Sequence, residues 1–381
     1  MLRMNLRGTP NPVTPAQVAQ LRLCALGLCH AAVDLTSPLA AVRHHLAMQA
    51  QDWKASRWAV GSRVPGSVDA DVLRAFDQGA IVRSWPMRGT VHVMEARELQ
   101  WMLDLMGVRA LSGVQRRWEM LGITEVMLEQ AREVAMELLR GGGRCTRAEL
   151  KDALEAAGLD LAGQRAYHTV WYLSQTGTLV QGPTRDGQQE LVLLSEWVPH
   201  PRKLSREESL AELGRRYLLA RGPASLADLE HWSKLTKRDC RAAFEANADD
   251  LVELTRAGTT LYMLRERFEI LSAAPHSACQ TSHVAALAAF DEHLLGYRVR
   301  DDVLDPAHAN LVDPGRNGVF RWTIVVEGNV VATWTRTPRA QYVRVDVTPF
   351  TRVAKRHHRA VSAALDRWGA FAGTTVKVSG F

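Results

Sequence analysis

Apolar and polar positions along this chain follow two rhythms. Apolar residues three and four apart mark helices with one buried face, and runs that alternate every second residue mark half-buried strands. From Cys145 the sequence CTRAELKDAL opens with Thr146 and Glu149 spaced as a capping box, so a helix starts there. A second helix is predicted over 163–175. Two β-rich runs over 177–194 then flank a Gly/Pro/Asp-Gly turn, which is a hairpin. The order recurs downstream. Ser225 with Asp228 caps a short helix, a second helix begins near Thr236, and 251–264 forms another hairpin. A looser copy comes first, with helices over 15–26, 38–48 (capped by Thr36 or Ser37), 53–63 and 72–78, and a hairpin over 80–94. Helices followed by a hairpin form the winged-helix pattern, in which one helix enters a major groove and the hairpin reaches backbone or minor groove. Three in tandem suit a duplex; three protein-interaction modules are the alternative.

The C-terminal part breaks the pattern. A hairpin over 320–336 turns at Glu327-Gly328-Asn329, 341–347 alternates as a strand, and 374–378 closes as another. This predicts a small β-barrel or curled sheet with one helix, over 351–368. On that helix Arg352, Lys355, Arg356 and Arg359 fall at i, i+3, i+4 and i+7, a basic stripe opposite Val353, Val361, Ala364 and Trp368. The stripe fits either phosphate contact or a solvated face. The expected boundaries are 12–112, 122–200 and 205–275 for the three winged-helix units and 280–381 for the last domain.

Composition narrows the function. The net charge is +6 and the pI about 9.2, which favours a polyanionic partner. No apolar run approaches a membrane span, and residues 1–5 lack the apolar segment of an export signal. A cytoplasmic, nucleoid-associated protein without membrane contact is expected. The five cysteines, Cys24, Cys29, Cys145, Cys240 and Cys279, are scattered and read as reduced thiols. No metal-ligand spacing occurs, so neither metal nor cofactor is expected.

Five stretches together resemble the AlkZ/YcaQ-like DNA glycosylases: 46–52 (LAMQAQD), 87–93 (MRGTVHV), 221–229 (RGPASLADL), 289–297 (AFDEHLLGY) and 317–322 (NGVFRW). They occur in the family's order across nearly the whole chain. The resemblance implies an α+β fold of three tandem winged-helix units in a C-shape plus a C-terminal small β-barrel. It also places a Gln-apolar-Gln motif at the active centre, here Gln49 and Gln51. Relatives of this form remove bulky N7-alkylpurines or unhook interstrand crosslinks. Two departures stand out: Trp53, where the family has proline, and His293, where it has tyrosine.

Glutamine is neither acid nor base near pH 7. A purine alkylated at N7 already carries positive charge, however, so it leaves C1′ with little protonation, and the sugar acquires oxocarbenium character. Two amides that hold a water against C1′ would then suffice. Residues two apart do not share a helical face, so Gln49 and Gln51 converge only if the helix over 38–48 stops there and Asp52 caps the next. Otherwise they are polar residues at a helix junction. In the first hairpin Arg88, Thr90 and His92 are candidates for phosphate contact, with a structural role for His92 equally open, and Arg185 in the second hairpin is a candidate groove probe. The expected protein is a monomeric, monofunctional DNA glycosylase acting on double-stranded DNA that carries alkylated purines. The alternatives are a winged-helix transcriptional regulator and a lesion-binding protein that does not cut.

Overall fold

Side-chain caps set where the helices begin. In the computed structural model, which describes residues 11–29, 33–273 and 283–380, Thr14 and Gln17 close a capping box on helix Pro15–Ala25. Ser37 caps Pro38–His45, and Asp52 caps Trp53–Gly61. The predicted boxes form at Thr146 with Glu149, opening Arg147–Ala156, and at Ser225 with Asp228, opening Leu226–Ser233. Each such cap contributes about 1 kcal/mol. Residues 1–5 and Cys279 lie outside the described residues. Cys24, Cys29, Cys145 and Cys240 are buried. Among the described residues no helix is long and apolar enough to cross a membrane.

Four hairpins follow one rule. Their two-residue loops are Arg88-Gly89, Asp186-Gly187, Ala257-Gly258 and Glu327-Gly328, every residue at positive φ. That geometry matches the right-handed twist of the flanking strands. At Gly328 it also serves packing, since a Cβ there would lie 2.9 Å from Ala19.

The chain forms two compact units, one from Leu73 to Ser209 and one from the residues up to Val72 and from Leu210 onward. In the Leu73–Ser209 unit the hairpins Ile81–Met87/Thr90–Glu95 and Leu179–Arg185/Gln188–Leu193 are not separate wings. They join edge to edge where Arg83 faces Gln181. Arg83 Nη1 reinforces the seam by donating to Gln181 Oε1 (2.6 Å) and Gln189 Oε1 (3.1 Å). Winged-helix-like helices, among them Glu125–Leu139, Arg147–Ala156 and Arg165–Gln175, complete the unit.

In the other unit the C-terminal sheet is an open half-barrel, the curled sheet of the two expected forms rather than the small barrel. Its five strands run in the order Val376–Ser379, Val343–Pro349, Asn329–Pro338, Thr323–Val326, Val284–Leu287. Both edge strands are only four residues long, and both pack against helix Lys355–Phe371. The helix fills the gap that strand pairing would have closed. It begins at Lys355, so Arg352 and Val353 precede it and the predicted four-residue stripe loses its first member. A second correction concerns 38–48: the helix ends at His45 because Leu46 turns to φ 63°, and Ala47–Gln49 is extended.

Burial depresses the pKa of three histidines in this unit, His44, His45 and His293. His44 Nε2 donates to Ala25 O (2.6 Å), and His293 Nε2 donates to Gly328 O (3.0 Å). Burial lowers both from the ordinary 6.5 to about 4, and it holds His45 well below its ordinary value. The unfolded chain therefore binds protons below pH 6.5 that the folded chain refuses. Stability is complete above that pH and falls as the pH drops toward 4. For His44 and His293 the loss by pH 5 is roughly 2 kcal/mol each. Thermal midpoints should fall steeply between pH 7 and pH 5; a flat profile there would show that these rings are not held neutral by burial.

Candidate functional site

The turn that carries the two glutamines is held from behind by charge. The Arg221 guanidinium spans Leu46, donating from Nη1 to His45 O (3.0 Å) and from Nη2 to Ala47 O (2.9 Å). Glu292 Oε2 accepts from Arg221 Nε (3.0 Å), Arg221 Nη2 (2.7 Å) and Trp232 Nε1 (3.1 Å). Its other oxygen accepts from the Gln49 backbone N–H (3.0 Å). Both side chains are essentially inaccessible, at 0% and 1% exposure. The Arg221 guanidinium also lies over the Trp232 ring, 4.3 Å from its centroid. Beside this pair, Asp291 receives a bidentate contact from Arg63 (2.8 and 2.9 Å) and caps the short helix Glu292–Leu295 through the His293 N–H.

The glutamines meet in front of this network. Gln49 is buried and Gln51 exposed, and Gln49 Nε2 donates to Gln51 Oε1 at 2.6 Å. The extended backbone after Leu46 makes this possible, because residues two apart on a strand point the same way. Asp52 then opens the next helix, its Oδ1 accepting from the backbone N–H groups of Lys54 and Ala55 (both 2.9 Å). Trp53 occupies the first helical position, where proline is favoured, with Arg57 4.9 Å from its ring centroid. His293, at the expected tyrosine position, fixes the Glu327-Gly328 turn through its ring nitrogen. Among the described residues no group of three or more His, Cys, Asp or Glu side chains could hold a metal ion.

The remaining candidates fall elsewhere. In the Leu73–Ser209 unit Arg88, Thr90 and His92 do come together. His92 Nδ1 donates to Thr90 O (2.9 Å), and its Nε2 accepts from Arg88 Nη2 (3.0 Å). His92 is fully buried, so it positions Arg88 and meets no solvent itself. Arg185 is exposed and paired with both Glu149 and Glu190. In the other unit Arg352, Lys355, Arg356 and Arg359 are all exposed, and Arg356 Nε donates to His357 Nε2 (3.0 Å). Arg63, Arg221, Asp291 and Glu292 were not foreseen as a group. Arg221, Asp291 and Glu292 lie in two of the stretches that carry the family resemblance, which was the available signal.

Winged-helix-like segments on a basic chain are features that DNA-binding proteins share, and the buried ionic network holds the polar pair in one geometry. The family described as DNA glycosylase AlkZ-like matches residues 42–371. The interstrand DNA cross-link repair glycosylase of Streptomyces sahachiroi is 27% identical over 320 residues, 80% of this chain and 82% of that protein. The solved structure of Streptomyces sahachiroi DNA glycosylase AlkZ is similar with a TM-score of 0.78 at 25% identity, covering 97% of this chain and 100% of that one. The chain belongs to the AlkZ-like DNA glycosylases, enzymes of DNA repair.

Removing half of a buried ion pair strands the other half. Glu292→Gln keeps shape and loses charge, and it should destabilise the protein by about 3 kcal/mol or more. Denaturant unfolding measures this, and an unchanged midpoint would mean that Arg221 finds its compensation elsewhere.

Proposed function

We propose that this glycosylase hydrolyses the N-glycosidic bond of cationic N7-alkylpurines in double-stranded DNA, with bulky adducts or interstrand crosslinks as its substrates. The observation that carries the reading is the hydrogen bond between Gln49 and Gln51, which joins two uncharged amides at one point. An amide oxygen has two lone pairs, so Gln51 Oε1 can accept from Gln49 and from a water together. The bond to Gln49 fixes the direction in which that oxygen points. A water held this way is aimed at C1′ as the base departs, and the base, already positive, leaves without a general acid. Uncharged groups also form no ion pair with the cationic substrate that would stabilise the ground state as much as the transition state.

Lys54, the nearest lysine along the chain, is exposed at the start of its helix. The reaction is accordingly assigned to water, without a covalent amine intermediate. The printed name of the Streptomyces sahachiroi relative, an interstrand cross-link repair glycosylase, favours crosslinks as the bulky substrate. The enzyme is taken to act as a monomer on nucleoid DNA.

The test is release of free base from a duplex bearing one N7-alkylguanine, followed by chromatography. Wild type should release it. Gln49→Ala and Gln51→Ala should each slow release by about 100-fold, the scale of a misplaced reactant, while binding the duplex as well as wild type. Release at the wild-type rate by both variants would move the chemistry away from these residues. Intact binding without release, from a crosslinked duplex as well, would leave a protein that shields lesions or regulates transcription.

A further inference from the structure

Arg336 is half-buried beside three tryptophans. It lies near the end of strand Asn329–Pro338, opposite Val345 and two residues beyond Trp334. Alternation along a strand places it on the same face as Trp334, which is 1% exposed, so an arginine continues a core face to the point where the core opens. Its guanidinium carbon is 3.5 Å from the Trp322 ring centroid, 5.5 Å from that of Trp368 and 5.8 Å from that of Trp334. The indoles are themselves locked edge to face, Trp322 on Trp334 (4.8 Å) and Trp334 on Trp368 (5.3 Å).

Among the described residues Arg336 makes neither an ion pair nor a hydrogen bond. Burial depresses its pKa, and the opposing charge is that of Asp52, which directly follows Gln51. A ring over the face of a guanidinium takes none of its N–H donors, which remain able to receive two oxygens of one anion. The indoles lower the local dielectric and so strengthen that contact. A cationic purine would be repelled here, whereas a backbone phosphate would be drawn in.

We propose that Arg336 clamps one phosphate of the lesion-bearing strand, beside the nucleotide whose sugar faces Gln49 and Gln51. The assignment rests on the reading of those glutamines as the substrate-facing pair. It makes Arg336 a binding residue that sets the register of the strand, with the chemistry left to the amides.

The experiment measures equilibrium binding by fluorescence anisotropy. The probe is a duplex with one N7-methylguanine on a 2′-fluoro sugar, which resists base loss. Arg336→Gln should weaken binding about tenfold and lower the slope of log affinity against log salt by about one. Methylphosphonates are then placed one at a time at the phosphates flanking the lesion. At one position the substitution should weaken wild type and leave Arg336→Gln unaffected. Should Arg336→Gln fail to fold, Arg336→Lys keeps the charge, loses the fork and gives the same cycle with a smaller loss. An unchanged salt slope in Arg336→Gln, or losses that add at every phosphate, would overturn the proposal. Because nothing here depends on base release, a failed glycosylase assay with an intact cycle would overturn the chemistry alone.

Discussion

A single buried ion pair decides where the two glutamines stand. Arg221 and Glu292 are removed from water, which costs several kcal/mol per charge unless their hydrogen-bonding capacity is met in place. Here it is met by the carbonyls on either side of Leu46, the Gln49 amide and the Trp232 indole. Those partners are available in one arrangement of the chain. The stringency of the buried charges becomes the precision of the turn, and Leu46 is held at a φ that a leucine would otherwise avoid.

What could be read from sequence was local. Capping pairs three residues apart and X-Gly loops between alternating runs depend on neighbours in the chain, and the helices and hairpins they define are present. What escaped was long-range or conformational. Nothing near Leu46 announces a positive φ, so the apolar pattern extends the helix to Met48, and it brings Gln49 to Gln51 through a helix end where the structure uses a strand. Closure of the C-terminal sheet depends on whether its edge strands pair with each other, and a helix occupies that place. Glu292 lies inside a recognisable stretch, yet its partners are 243, 71 and 60 residues away, and no spacing rule connects them.

Net charge alone does not say which cations are placed to meet DNA. Arg185 is exposed and basic, and two glutamates pair with it. Arg88 is set by a buried histidine, and the run from Arg352 to Arg359 is split by the start of its helix. A cation is informative when its surroundings leave its donors uncommitted and its orientation fixed, and side-chain packing determines both.

The bond from the Gln49 backbone to Glu292 also orders events in time. A ribosome making this protein releases both glutamines early, long before residue 292 has emerged. Until then Arg221 lacks its counter-charge and the turn at Leu46 lacks its brace, so a nascent or truncated chain carries the motif without its geometry. The geometry of the two glutamines therefore depends on the last third of the polypeptide.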